Sequence, residues 1–168
     1  MNNTFDAIRY FHDMTRKNKL ARQHSFFPCT CSGLGSLEDV LTNLQREQAF
    51  VCVEDTNDST VTQIGGGWFT RRVFTVFIMH RYNFSDMEDR ETQLQLCRDI
   101  FHQFHSRMIR DKTCCIPGYG DSIQSLGVEN VASREFGQYV LSGLTGLYFM
   151  VDCPEPLNLC YDGSEWEE

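Results

Sequence analysis

Residues 65–112 read GGGWFTRRVFTVFIMHRYNFSDMEDRETQLQLCRDIFHQFHSRMIRDK, and this stretch decides the fold. Its first half predicts a long strand from Arg72 to Phe84 that is apolar on both faces through its middle. Such a strand belongs inside a sheet rather than at an edge, because both of its faces must be covered. The second half has the periodicity of an amphipathic helix. The stretch therefore predicts a central strand that leads directly into a long helix.

Local signals support both predicted elements. One face of the strand carries Phe74, Val76, Ile78 and Tyr82, and the other carries Val73, Phe77 and Met79. Ser85 and Glu88 match the S-x-x-E capping box that begins many helices, and the acidic residues that follow suit the positive end of the helix dipole. The helix then carries one apolar stripe, formed by Leu94, Cys97, Ile100, Phe101, Phe104 and Met108.

The rest of the chain predicts shorter elements around this core. We expect helices over residues 4–22 and 36–47, the second with Ser36 and Asp39 as a capping box, separated by a loop, HSFFPCTCSGLG, at 24–35. Strands are expected at 49–55 and 60–70, the latter with a bulge or bend at its three glycines. A loop at 113–127 precedes two more strands before residue 152, with a bend or turn at 142–146.

This order of elements predicts an α+β fold. Short links between strands and segregated helices indicate a mainly antiparallel sheet with helices packed on one face. We expect a single domain over residues 1–168, with a helical N-terminal part (1–47), a core of sheet and long helix (49–152) and an acidic tail (153–168).

Composition narrows the possible partners. The net charge is −8, which argues against broad contact with a phosphate backbone, and no apolar run approaches the roughly 20 residues that cross a bilayer. Twelve arginines against three lysines favour protein partners, since arginine is enriched at interfaces. The start of the chain is polar and unlike a secretory signal, so we expect cytoplasmic synthesis.

The cysteines and histidines offer only weak metal or catalytic patterns. Cys29 and Cys31 could join Cys114 and Cys115 in a zinc site, but the spacings differ from common zinc modules. His102 and His105 lie three residues apart on the long helix and could share a metal. Two ligands are too few for a structural zinc site, which needs four. A cysteine nucleophile would need a histidine base, and neither His24 nor His80 can be assigned to one. We expect free thiols, no bound metal, no cofactor and no catalytic residues.

Aromatic and arginine residues beside the central strand have the composition of an interface hot spot. A subunit or partner interface is therefore predicted at Trp68, Phe69, Arg71, Arg72 and Arg81. The neighbouring glycines do not form a phosphate-binding loop, because they precede a strand and no lysine follows them.

The layout of elements resembles the tail-terminator and tail-completion proteins of long-tailed phages. The similarity rests on the strand FVCVED (50–55), the polar hairpin TNDSTVTQIGGG (56–67), the strand and acidic helix start VFTVFIMHRYNFSDMEDRETQ (73–93), and the closing pair REFGQYVLSGLTGLYFMVD (134–152). It covers residues 50–152 well and the first 45 loosely.

The resemblance implies a structural head–tail joining protein rather than an enzyme. It would form a ring, with a hexamer as the expected form, and would contact tail-tube and head-connector proteins. Trp68, Arg71 and Arg72 would lie near a subunit contact. The protein would occupy the host cytoplasm and then the virion. The alternatives are a small metal-binding enzyme or regulator that uses Cys and His residues, and an adaptor domain that binds a protein on its exposed sheet face.

Overall fold

Six strands and four helices follow one another within residues 4–137 and 143–167, the part of the chain that the computed structural model describes. Two short 3₁₀ turns, Asp121–Ser125 and Gly163–Glu165, complete the described elements. In chain order the helices and strands are α1 (Ala7–Lys17), α2 (Lys19–Gln23), β1 (Phe26–Cys31), α3 (Gly33–Asn43), β2 (Ala49–Glu54), β3 (Asp58–Ile64), β4 (Gly67–Arg81), α4 (Met87–Thr113), β5 (Ala132–Glu135) and β6 (Leu144–Leu157).

The strands form one sheet around β4. The order is β1-β2-β4-β6-β5, and β3 pairs with β4 outside this path. On one side β4 pairs with β6 over its whole length, whereas on the other it pairs with β2 and then with β3. The β1–β2 pair is parallel and the other pairs are antiparallel. The prediction of a single α+β domain with a mainly antiparallel sheet is confirmed.

Both faces of β4 are covered, as its two apolar faces predict. Phe74, Val76 and Ile78 belong to a core cluster that also contains residues of α1 and α4, such as Phe11 and Phe104. Phe77 and Met79 belong to a second cluster on the opposite face, to which α3 contributes Leu37 and Leu41. Helices α1 and α4 thus share one face of the sheet, and α3 covers part of the other.

The long helix α4 matches its predicted stripe but begins with a different cap. All six stripe residues are buried. The N-cap is Asp86, whose carboxylate accepts hydrogen bonds from the backbone N–H groups of Glu88 and Asp89 at 2.9 and 3.1 Å. The predicted capping role of Ser85 is therefore wrong. Aspartate caps at least as well as serine, and its charge also favours the helix N-terminus.

The N-terminal third departs most from the prediction. The helix expected at 4–22 is two helices, because Asn18 ends α1 and caps α2 through its side chain. The loop expected at 24–35 contains β1, so residues 1–47 are not a purely helical part. Pro28 is tolerated in β1 because this strand pairs only with β2 and lies at the sheet edge. The helix expected at 36–47 begins three residues earlier, at Gly33, and ends at Asn43.

Two boundaries around the central strand also change. Gly65 and Gly66 have φ of +57° and +85° and form the two-residue turn of a β3–β4 hairpin, so the predicted bulge within one strand is wrong. At the other end, β6 continues past residue 152 to Leu157, and the segment outside the sheet is shorter than the predicted tail. The turn expected at 142–146 falls partly outside the described residues.

Candidate subunit interface

The β3–β4 hairpin carries the most exposed apolar side chains of the sheet. Val61, Ile64 and Trp68 expose 49, 61 and 42 % of their surface, and we call these three residues the hairpin patch. Val61 and Trp68 lie on one face of the hairpin and Ile64 on the other. Gln63 and Leu157 flank Trp68 as its register partners on β3 and β6. Two-residue turns with both φ values positive match the twist of the strands, which explains the paired glycines beside this patch.

The outer edge of β3 is the second feature of this region. Within the described residues β3 pairs only with β4, and nearly all of its side chains are exposed. The edge strand β1 contains Pro28, and β6 contains Pro154 and Pro156 beyond the part that pairs with β5. Prolines protect sheet edges because they cannot donate to a further strand. The sequence of β3, DSTVTQI, has no proline and is rich in β-branched residues, so its edge is open to pairing.

Two of the predicted interface residues lie beside the patch with accessible side chains. Arg71 exposes 57 % of its side chain and donates from Nε to Asp152 Oδ2 at 2.5 Å. Phe69 is half-buried on the same strand, opposite Thr62 of β3. Phe69 and Arg71 share one face of β4 and Trp68 lies on the opposite face, so aromatic and charged side chains of interface character are accessible on both sides of the hairpin.

Arg72 lies on the face of β4 opposite Phe69 and Arg71 and has a structural role. Its guanidinium binds Glu155 through two hydrogen bonds, Nε to Oε2 at 3.0 Å and Nη2 to Oε1 at 2.8 Å. Nη2 also donates to the carbonyl of Phe5, whose N–H in turn donates to Glu155. The guanidinium carbon lies 4.9 Å from the centre of the Phe74 ring. Arg72 thus ties the N-terminal segment to β4 and β6, and its side chain remains 20 % exposed.

Arg81 likewise serves the fold at the opposite end of β4. Its Nε donates to the carbonyl of Glu47, and its Nη2 donates to the carbonyl of Leu41 near the end of α3. The guanidinium also lies over the ring of Phe50 at 5.4 Å. The side chain therefore satisfies carbonyls that the helix end leaves unpaired. Of the five predicted interface residues, Trp68, Phe69 and Arg71 all lie near the hairpin end of β4, with Phe69 and Arg71 on one face and Trp68 on the other, while Arg72 and Arg81 make contacts within the chain.

The cysteine and histidine candidates lie apart from one another. Cys29 and Cys31 are buried in β1, whereas Cys114 and Cys115 are exposed just after α4. The Nε2 of His105 hydrogen-bonds to the Val128 carbonyl at 2.8 Å. Across the described ranges, no group of three or more His, Cys, Asp or Glu side chains is arranged to hold a metal ion.

His80, a possible base in the sequence, is a half-buried residue of β4, paired with Ala49 of β2 and Thr145 of β6. Its Nδ1 lies 2.5 Å from the carbonyl oxygen of Arg81, and its ring contacts Phe26 edge-on. Burial lowers the pKa of His80 below the usual value near 6.5 because desolvation disfavours the charged imidazolium. The arrangement is that of a neutral, satisfied histidine.

A cavity of about 410 Å³ lies between the N-terminal segment and β4. Its lining includes Arg9 and Arg72 together with the carboxylates of Glu54 and Asp55, and Tyr119 closes one side. Asp6 also lines the cavity, so groups of both charges are mixed within the lining.

Within its described residues the protein is a six-stranded α+β domain. Its β3–β4 hairpin exposes apolar side chains, and the outer edge of β3 is open. No protein-family model matches the chain, and no curated protein is significantly similar to it in sequence. No helix in the described ranges is both long and apolar enough to cross a bilayer.

The sequence signal for this site was partly readable. Composition predicts Trp68 and Arg71 as interface residues. It does not predict Val61 and Ile64, because the polar residues around them indicate only a hairpin. An alternation of threonine, valine and isoleucine without proline is the signal that could have identified β3 as an open edge.

Proposed function

We propose that this protein is a structural virion-assembly protein of a phage or prophage, of the tail-terminator or head–tail joining type, that acts by protein contacts without catalysis. The observation that carries the proposal is the hairpin patch beside the unprotected edge of β3. The resemblance in the layout of elements supplies the type of assembly. The protein would be made in the host cytoplasm and enter the virion with tail-tube and head-connector proteins as neighbours.

The subunit contact follows from the hairpin. Val61 and Trp68 offer apolar area, and each fully buried side chain of this size contributes about 1.5–3 kcal/mol. The edge of β3 adds main-chain hydrogen bonds when a neighbouring copy supplies an extended segment. A ring is built from heterologous contacts, in which two different surfaces meet. The hairpin of one copy would therefore contact a different surface of the next copy.

Oligomer size against concentration tests the proposal. Light scattering after gel filtration should show a closed oligomer that dissociates on dilution, and negative-stain microscopy should show rings. Trp68→Glu places a charge in the patch and should raise the dissociation midpoint at least tenfold. Val61→Lys should have a similar effect, because lysine protects strand edges. The matched control is Trp166→Glu, which alters an exposed tryptophan outside the sheet.

Two results would refute the proposal. The first is a wild-type protein that stays monomeric at its highest soluble concentration. The second is an oligomer that Trp68→Glu and Val61→Lys leave unchanged, which would remove the hairpin from the contact.

A further inference from the structure

The parallel pairing of β1 and β2 brings three cysteines to one place. Cys29 of β1 is the register partner of Cys52 of β2, and Cys31 follows two residues later on the same face of β1. All three are buried in the core cluster under α3. The sequence did not show this thiol cluster, because β1 was expected to be a loop.

The spacing of adjacent strands allows covalent bonding within the thiol cluster. Neighbouring strands lie about 4.8 Å apart, and disulfides form between residues whose Cα atoms are about 4.4–6.8 Å apart. Cys52 lies opposite Cys29 in the register, and Cys31 lies two residues along β1 in the same buried cluster. Cys29 and Cys31 belong to one extended strand, where next-but-one residues are separated along the chain by about 6.6 Å. Cys52 is therefore the partner that the other two have in common.

Cys31 and Cys52 differ in their acidity. Hydrogen bonding with Cys52 lowers the pKa of Cys31. Hydrogen bonding with Cys29 and Cys31, followed by burial, raises the pKa of Cys52 well above the usual value. Of these two thiols, Cys31 therefore ionises more readily than Cys52, and the thiolate is the form that reacts with oxidants.

We propose that the thiol cluster is an oxidation site in which Cys52 forms one disulfide, with either Cys31 or Cys29, when the protein meets a peroxide. The thiolate of Cys31, or of Cys29 where Cys31 is replaced, attacks one oxygen of hydrogen peroxide, breaks the O–O bond, takes up a proton and yields a sulfenic acid and water. The Cys52 sulfur then attacks the sulfenic sulfur, and the hydroxyl leaves as a second water. In total two thiols lose two electrons and two protons to one peroxide.

Access to the thiol cluster comes from the position of β1. An edge strand opens more readily than the centre of a sheet, since it is held by a ladder on one side only. The bond would fasten this edge strand to β2 and close the segment that contains α3. Oxidation should therefore raise the melting temperature by about 5 °C or more. The third thiol stays close enough to exchange with the new disulfide.

The test uses a background in which the exposed Cys114, Cys115 and Cys160 are replaced by serine. Hydrogen peroxide is added, remaining thiols are alkylated, and the intact mass and the cross-linked peptides are measured. We expect a loss of two hydrogens in a peptide pair that contains Cys52. The bond should survive Cys29→Ser and Cys31→Ser singly, since each leaves one partner.

Cys52→Ser should abolish the bond. Cys97→Ser is the matched control, because Cys97 is a buried thiol of the opposite core cluster, and it should leave the bond intact. Melting curves of the reduced variants establish folding, and Cys52→Ala replaces Cys52→Ser if the serine variant does not fold. A disulfide that persists without Cys52 overturns the proposal. So does the absence of a bond at a peroxide dose that oxidises the exposed thiols of the wild-type protein.

Discussion

Replacing Arg72 with methionine should destabilise the protein far more than the same change at its neighbour Arg71. The Arg72 side chain is 20 % exposed and its partner Glu155 is 9 % exposed, and two hydrogen bonds join them. Methionine keeps the length of the side chain but leaves the Glu155 carboxylate buried without its cation. Removing one partner of a buried ion pair costs about 3–5 kcal/mol.

The expected loss lies at the lower end of that range. Glu155 would keep its hydrogen bond from the Phe5 N–H at 2.6 Å, which compensates part of its charge. We therefore expect the free energy of unfolding to fall by about 3 kcal/mol, which is a large share of the roughly 5–15 kcal/mol of a typical domain. Urea unfolding followed by circular dichroism measures the change, provided that the slope with urea stays constant.

Arg71→Met is the matched control. Arg71 is 57 % exposed, and a solvent-exposed pair such as Arg71–Asp152 contributes about 0–1 kcal/mol. A second test is the double variant Arg72→Met with Glu155→Leu, which removes both charges and should recover much of the lost stability. Equal losses for Arg72→Met and Arg71→Met would refute the assignment of Arg72 to the interior.

Three further predictions concern other elements, each with thermal or urea unfolding as the measurement. Gly146→Ala should lower the free energy of unfolding by about 2 kcal/mol or more, because a Cβ there would lie 2.1 Å from a carbonyl oxygen of β4. Gly35→Ala has open space and should stabilise α3 by up to about 1 kcal/mol. Equal effects of the two substitutions would contradict the close approach of Gly146 to β4. Asp86→Ala should cost about 1 kcal/mol and Ser85→Ala almost nothing, and the reverse order would restore the serine cap. The pKa of His80 is lowered in the folded state, so the unfolded state binds more protons below pH about 6.5. Stability should therefore fall as the pH drops through that value. His80→Gln should flatten this pH profile, and an unchanged profile would exclude His80 as its cause.

The elements that the sequence predicted well are those whose signals are local. Alternation along β4 and the 3.6-residue stripe of α4 depend on neighbours within a few turns, so they survive in any tertiary context. The sequence did not predict β1, for the opposite reason. Its sequence, FFPCTC, contains a proline and small polar residues, and it becomes a strand only because β2 offers a parallel partner. Such pairing is set by tertiary contacts that periodicity does not report.

The candidate interface shows the same limit at the level of single residues. Arg71 and Arg72 are identical neighbours, and composition predicted one role for both. Strand alternation sends them to opposite faces, and the partner of Arg72, Glu155, lies 83 residues away in a segment expected to be a tail. The exposed arginine was therefore predictable from composition, whereas the buried one needed the register of β6 against β4.

The contact between Phe5 and Glu155 has a consequence for the connectivity of the chain. It places the first packed segment against the last strand, so a short linker could join the two without disturbing the sheet. New ends could then be opened at the Gly65–Gly66 turn, where the chain is exposed and neither glycine has a neighbouring group to displace. The resulting circular permutant would keep every strand of the sheet and would cut only the tip of the β3–β4 hairpin. Its folding would therefore not depend on an intact Gly65–Gly66 turn.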